Sequence, residues 1–298
     1  MSNLKRLLQP KSVALFGGVW AENVYIQLRK SSFEGEIWPV HPTKKKLGQH
    51  NCFKSLESLP HPPDAAFIGV NRHRTIEIVR ELDNMGAGGA VCFASGFSET
   101  KIKTDNEDGQ ELQRKLTNAA STLALLGPNC YGFLNYLDNV TLWPDQHGGL
   151  SVKNGVAIIA QSSNIAINLT MQRRSLPIAF ILTVGNQAKS GVSDLIQMLL
   201  QDERVTAIGL YIEGFDSIQK FEMAASKAEM CKKPLVVLKA GKTAHSVATA
   251  FSHTASITGS NTTSSTFLAR IGCLEVNSLS NMLETLKFLH FNASPLSK

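Results

Sequence analysis

At 298 residues the chain is long enough for two domains of ordinary size, each with its own core. Its 43% hydrophobic and 18% charged residues are those of a soluble globular protein, and no apolar run reaches the ~18 residues of a membrane span. The formal net charge of +6 suits a handler of anions, but the basic residues form no dense arm or aromatic-interleaved patch, which argues against nucleic acid and for small phosphorylated ligands.

The opening MSNLKRLLQPKS holds no apolar stretch of the secretory kind, so the expected location is the cytoplasm. Five cysteines are scattered, odd in number and without a CxxC pair, which speaks against a disulfide framework and a zinc site.

The first elements alternate between strand and helix patterns. Residues 12–16 (SVALF), 36–40 (EIWPV), 64–70 (DAAFIGV), 89–94 (GAVCFA) and 122–126 (TLALL) read as strands. Between them, Ile76, Val79 and Leu82 recur at three-residue spacing, and Leu112 and Leu116 at four, as helices do. Apolar strands separated by helices predict a parallel sheet covered on both faces, a Rossmann-like unit with its ligand at the carboxyl ends of the strands.

Those ends carry informative residues. After the first strand, Gly17-Gly18 is a glycine turn that can open a helix start toward phosphate, although a full GxGxxG is absent. After the second comes HPTKKK, residues 41–46, where an NAD-binding protein carries an acidic residue. Three lysines there favour a phosphorylated ribose or a diphosphate, and a solvated lysine turn is the plainer alternative. Beyond the later strands stand VNR (70–72), SGFSE (95–99) and GPNCYGF (127–133). Residues 137–155 are rich in turn formers without clean periodicity and read as the connection between domains; Trp143 there reads as a packed tryptophan, with a cleft position for it and His147 as the alternative.

The alternation then repeats. Residues 156–160 (VAIIA), 179–184 (AFILTV), 207–212 (AIGLYI), 235–238 (LVVL) and 273–276 (CLEV) read as strands, with helical patterns at Ile218, Phe221, Ala225 and Ala228, and at Met282, Leu283, Leu286 and Leu289. AQSSNIAIN, residues 160–168, turns from strand into helix, which sets Gln161, Ser162 and Ser163 at a helix start with free amides and a favourable dipole. VGNQ (184–187) and IEG (212–214) follow two further strands. After LVVL comes AGKTAHSVATAFSHTASITGS, a segment almost wholly of Gly, Ala, Ser, Thr and His. It makes little core, and an imidazole among small residues can be a general base, a metal ligand or a nucleophile.

Taken together and in this order, IWPVHP, PDAAFIGV, GPNCYG, QSS, GNQ, IEG and SHTASITGS resemble the NDP-forming acyl-CoA synthetases, the superfamily of the succinyl-CoA synthetase alpha subunit and the ADP-forming acetate-CoA ligases. The resemblance covers nearly the whole chain. It implies a Rossmann-like CoA-binding domain over residues 1–136, a linker over 137–154, and a flavodoxin-like ligase domain over 155–298. It further implies that Gly17, Gly18, His41, Lys44, Val70, Asn71, Ser95, Gly96 and Asn129 line a CoA pocket.

By the same resemblance His253 is the phosphohistidine, His245 an ordinary polar residue, and Glu213 the carboxylate that orients the phosphorylated ring. Ser162, Ser163, Gly185 and Asn186 would bind phosphate. Three departures stand out: Ala160 and Ser163 replace a serine and a glycine of the Ser-Gln-Ser-Gly pattern, and GGVWAENVY is a few residues shorter than the usual glycine-rich loop. No ATP-grasp glycine loop or acidic metal cluster is present in the sequence. The implied function is therefore an alpha-type acid-CoA ligase that joins a small carboxylic acid to CoA, with ATP, ADP and Mg handled by a separate ATP-grasp (beta-type) subunit, and with a homo-oligomer possible. The alternatives are a non-catalytic CoA-binding or regulatory protein, and a nicotinamide-dependent oxidoreductase, which HPTKKK disfavours.

Overall fold

The apolar runs are strands because they are covered on both faces. The computed structural model describes residues 2–100, 108–240 and 261–292. Two compact units divide the chain: Met1–His147 with Thr183–Ser190, and Gly148–Leu182 with Gly191–Lys298.

The first unit contains α1 (Asn3–Leu8), β1 (Ser12–Gly17), α2 (Val19–Lys30), β2 (Glu36–Val40), β3 (Lys46–Leu47), β4 (His50–Asn51), β5 (Ala65–Gly69), α3 (Arg72–Asn84), β6 (Gly89–Cys92), α4 (Gly109–Ala119), β7 (Ala124–Leu126), β8 (Phe133–Asn135) and β9 (Val140–Leu142). Its main sheet is wholly parallel, in the order β2-β1-β5-β6-β7. Every residue of β1 is buried. Ala14, Phe16, Ala66, Ile68, Ala90 and Cys92 join Ile78, Val79, Leu82, Leu112 and Leu116 of α3 and α4 in one core. The Ile76, Val79, Leu82 spacing thus marks the buried stripe of α3, whose start is capped by Asn71 accepting from the Arg74 amide at 3.0 Å.

This strand order reverses direction between β1 and β5, and a ligand of a doubly wound sheet sits above such a reversal. There Gly17 has φ +128°, and a Cβ on it would lie 2.5 Å from the Gly69 carbonyl oxygen. Only glycine lets the two strand ends come so close.

Two short features depart from the sequence reading. Lys46, the last residue of the lysine turn, begins a small antiparallel hairpin in which β3 pairs with β4. Within the stretch read as a connection, β9 pairs antiparallel with β8, and Trp143 just after it is fully buried. A three-residue strand is too short to show a period of two, so VTL gave no signal.

The second unit contains β10 (Gly155–Ala160), α5 (Ser163–Thr170), β11 (Ile178–Thr183), α6 (Val192–Leu200), β12 (Val205–Ile212), α7 (Ile218–Met230), β13 (Leu235–Lys239), α8 (Asn261–Arg270), β14 (Leu274–Glu275) and α9 (Leu279–Phe291). Its strands run β14-β13-β12-β10-β11, with parallel pairing of β10 to β12, β12 to β13 and β13 to β14. Counted from its own first strand, this is the order of the first unit, so the reversal falls between β10 and β12. Phe221, Ala225 and Ala228 of α7 and Met282, Leu283 and Leu286 of α9 are buried as their spacing predicts. Ile218 is exposed, because it opens α7 directly after the cap Ser217. Both units are doubly wound α/β, as the alternation of apolar runs and helical patterns implied.

Candidate functional site

In the first unit a cavity of about 400 Å³ opens at the carboxyl ends of β1 and β2 and beside the start of α3. Four of the expected ligand residues line it: Gly17, Gly18, His41 and Val70. The His41 ring is fixed by its own turn, since Nδ1 accepts from the amides of Thr43 at 3.2 Å and Lys44 at 3.0 Å. A nitrogen that accepts two N–H groups carries no proton, so the proton of the neutral ring sits on Nε2 as a donor. Lys44 stands outside the cavity lining, with its ammonium 3.7 Å from the Glu22 carboxylate and both side chains exposed. Such a pair is worth about 0–1 kcal/mol and leaves the lysine free to exchange partners.

Asn71 uses its side chain on the α3 cap. Ser95, Gly96 and Asn129 gather further along the sheet, beyond β6 and β7, where the Asn129 amide donates to the Ala94 carbonyl at 2.9 Å. Gly96 and Asn129 have φ +94° and +57°. The sequence reading missed Lys54, Ser55, Arg74 and Glu81, which also line the cavity. Arg74 is partly neutralised by Glu77 at 2.8 Å and Glu81 at 3.2 Å, whereas Lys54 stands in the loop before Leu56 with no sequence feature to mark it.

Gly185 and Asn186 belong to the segment that clusters with the first unit. Gly185, at φ +51°, lies so close to the GPN loop that a Cβ would meet the Pro128 carbonyl oxygen at 2.2 Å. The Asn186 amide donates to the Pro128 carbonyl at 3.0 Å, and its side-chain Nδ2 donates to Glu99 at 2.5 Å and to Gln113 at 3.0 Å. Glu99 in turn accepts from the Gly96 amide at 2.6 Å. Its role in joining its own loop to the Asn186 turn had no marker in sequence beyond its place in SGFSE.

In the second unit the strands that flank the reversal bring Ser162 and Glu213 to neighbouring ends. Ser162 caps α5, accepting from the Ile165 amide at 3.5 Å, with Ser163 the first residue of the helix. Glu213 follows β12 and is 9% exposed. Its backbone is held by Gln161, expected only at the helix start, and by Lys239, which carried no expectation. Gln161, buried, accepts from the amides of Glu213 at 2.6 Å and Gly214 at 3.0 Å. Lys239, 5% exposed at the end of β13, donates to the carbonyls of Glu213 at 2.8 Å and Ala240 at 2.9 Å. Burial pushes the Tyr211 hydroxyl above its ordinary value, and the nearby Glu213 charge pushes it further. A lysine closing the apolar run LVVL was the one available sign of this cluster.

A buried carboxylate at a strand end can hold an imidazole in one tautomer and support its cationic form, and a helix start can receive anionic oxygens. His253 and His245 lie outside the described residues. Among the described residues, no group of three or more His, Cys, Asp or Glu could hold a metal ion, and no helix is long and apolar enough to cross a membrane.

Comparison with known proteins follows the same division. Residues 11–136 match the family described as "CoA binding domain", and residues 153–289 match "Succinyl-CoA ligase like flavodoxin domain". Among similar proteins, the trans-feruloyl-CoA synthase FCS1 of an unknown prokaryotic organism is 31% identical over 94% of this chain and 41% of its own length. The ADP-forming acetate–CoA ligase II of Archaeoglobus fulgidus is 30% identical over 99% of this chain and 44% of its own. The alpha subunit of the ADP-forming acetate–CoA ligase I of Pyrococcus furiosus is 27% identical, with 96% of this chain and 63% of the subunit covered. The structure of a dinucleotide-forming acetyl-coenzyme A synthetase 1 from Ca. Korarchaeum cryptofilum, in complex with phosphate and ADP, superposes with a TM-score of 0.87 at 27% identity, covering 100% of this chain and 64% of that one. The chain therefore spans less than half the length of the first two relatives.

Proposed function

The chain belongs to the NDP-forming acyl-CoA synthetase superfamily, and from that membership we propose that it is the alpha-type part of an ADP-forming acid-CoA ligase. The observation that carries the proposal is the meeting, at the reversal of the second sheet, of a capped helix start at Ser162–Ser163 with the buried Glu213. The neighbouring strand β13 leads into the small-residue segment that holds His253.

In the proposed reaction an imidazole nitrogen of His253 attacks the γ-phosphorus of ATP and ADP leaves. Glu213 accepts the proton of the other ring nitrogen in a hydrogen bond, which fixes the tautomer and supports the charged ring. Amides at the start of α5 hold the phosphoryl oxygens. The carboxylate of a small acid then takes the phosphoryl group, which frees the imidazole. The CoA thiolate attacks the acyl phosphate, and inorganic phosphate leaves as acyl-CoA forms.

CoA belongs to the first domain, residues 1–136, with its nucleotide in the cavity beside Gly17, Gly18, His41 and Val70, Lys44 and Asn71 at the margin, and its arm toward Ser95, Gly96 and Asn129. The ligase domain spans residues 155–298, after a linker at 137–154. Asn186, whose N–H groups are spent on Pro128, Glu99 and Gln113, and Gly185, packed against the GPN loop, would shape their turn and offer phosphate little direct contact. ATP with Mg would come from an ATP-grasp partner subunit, and the assembly would be cytoplasmic.

The test is incubation with labelled ATP and a copurifying ATP-grasp subunit. An acid-labile, base-stable label is expected on the parent and on His245→Ala, and none on His253→Ala. A label that survives in His253→Ala sinks the mechanism. The replacements Ala160 and Ser163 in the phosphate-binding pattern favour, as the second reading, a CoA-binding protein without phosphotransfer. Saturable CoA binding with no label under any partner would support it.

A further inference from the structure

We propose that Trp20, with Phe93 beneath it, is the contact surface for the pantetheine arm of CoA, and that this chain uses it in place of a longer glycine-rich loop. The inference rests on the CoA reading of the first unit and adds a residue to it.

Trp20 is the second residue of α2, two positions after Gly18, and is 42% exposed although it is among the largest apolar side chains. Its Cβ lies 3.1 Å from where a Cβ of Gly69 would stand, which places its attachment over the end of β5. Its ring centroid is 4.8 Å from that of Phe93, just after β6, and Phe93 is 5.5 Å from Tyr131, in the loop that follows β7. The three rings therefore form a shelf along the carboxyl ends of β5, β6 and β7. Gly17 and Gly18 line the cavity, and Trp20 follows Gly18 by two positions, so the shelf adjoins the cavity at the glycine turn.

This continuity decides the occupant. A nucleotide seated in the cavity carries its 5′ substituent past the glycine turn, in the direction of the shelf. From β1 to β7 is three strand spacings, about 14 Å, which an extended pantetheine arm spans. The arm is amphipathic: its gem-dimethyl and methylene groups suit indole and phenyl faces, and its amides suit polar groups such as the exposed Ser95 hydroxyl and the Asn129 side chain. An indole held on one side by Phe93 is pre-organised, so covering its other face costs little side-chain entropy.

The experiment compares CoA with 3′-phospho-ADP, which is CoA without the arm, on the full chain by calorimetry. Trp20→Ala is expected to weaken CoA about tenfold, equivalent to about 1.4 kcal/mol, while 3′-phospho-ADP stays within about twofold. Trp20→Phe should keep most of the CoA affinity. A second readout guards against a variant that folds poorly: CoA, and not 3′-phospho-ADP, should change the tryptophan fluorescence of the parent, and Trp20→Phe should lose that change. Equal losses for both ligands, or no loss for either, overturn the shelf and leave the CoA site standing. A Trp20→Ala effect on self-association alone would assign the shelf to a second copy and likewise overturn it. A parent that binds neither ligand overturns the CoA reading and the shelf together.

Discussion

Replacing Gln161 by methionine keeps the length of a buried side chain and removes the one oxygen that two backbone amides share. Those amides belong to Glu213 and Gly214, at 2.6 and 3.0 Å, in bonds that are wholly buried. Each amide left unpaired costs about 1–3 kcal/mol, and a similar-sized apolar replacement adds little cavity cost. About 3 kcal/mol is therefore the expected loss, taking account of partial relaxation of one of the two. With a urea dependence of about 2 kcal/mol per molar, the midpoint of the transition reporting on the second unit should fall by about 1.5 M with an unchanged slope. The measurement is urea unfolding followed by circular dichroism, with amide exchange at Glu213 and Gly214 as the local probe. A loss under about 1 kcal/mol, or protection at both amides equal to the parent, would refute the clamp.

Ser162 separates capping from phosphate chemistry. Ser162→Ala should lower stability by about 1 kcal/mol and reduce phosphotransfer, whereas Ser162→Asp should keep the cap and nearly abolish phosphotransfer through repulsion of the incoming phosphate; equal phosphotransfer by the two variants would remove the phosphate from this helix. Three histidines give a pH dependence with a definite sign. Burial holds His50, His147 and His290 below their ordinary value, aided by Arg29 at His50 and by Lys30 at His147. The unfolded chain then binds protons first as pH falls through about 6.5, so stability should drop from pH 7 toward pH 5. Urea midpoints across that range should show part of the slope disappearing in His147→Gln, and a slope identical to the parent would refute the assignment.

The strands were legible because burial on both faces writes an uninterrupted apolar run, as in SVALF and AIGLYI. The pairing of β8 with β9 was not, since three residues cannot display a period. Ser162 was legible from chemistry alone, as a serine between a strand and a helix. Glu213 became a candidate through the resemblance, since one acidic residue after a strand is otherwise commonplace. The roles of Gln161 and Lys239 depend on β10, β12 and β13 being neighbours in the sheet, and β10 and β12 are separated along the chain by β11. Trp20 shows the same limit from another side: its exposure over Phe93 is a property of α2 starting directly at Gly18.

The two units share one strand order, so the order itself cannot account for the different roles proposed for them. In the first, the reversal is closed by Gly17 and Gly69, which contribute backbone and no side chain, and the space left above them is lined from other loops and helices. An open floor of this kind suits a ligand that arrives whole. In the second, the corresponding strand ends carry Gln161, Glu213 and Lys239, all nearly excluded from water. Burying an ammonium costs several kcal/mol unless acceptors surround it, and Lys239 meets that cost with the carbonyls of Glu213 and Ala240. The ammonium is thereby held at the end of the sheet against the backbone of Glu213, which Gln161 also holds. A transferring group gains most from charges that do not reorganise as it moves. Under the proposed function, the second unit would keep the Glu213 carboxylate still beside the strand that leads toward His253 in sequence, and the first would admit a flexible cosubstrate.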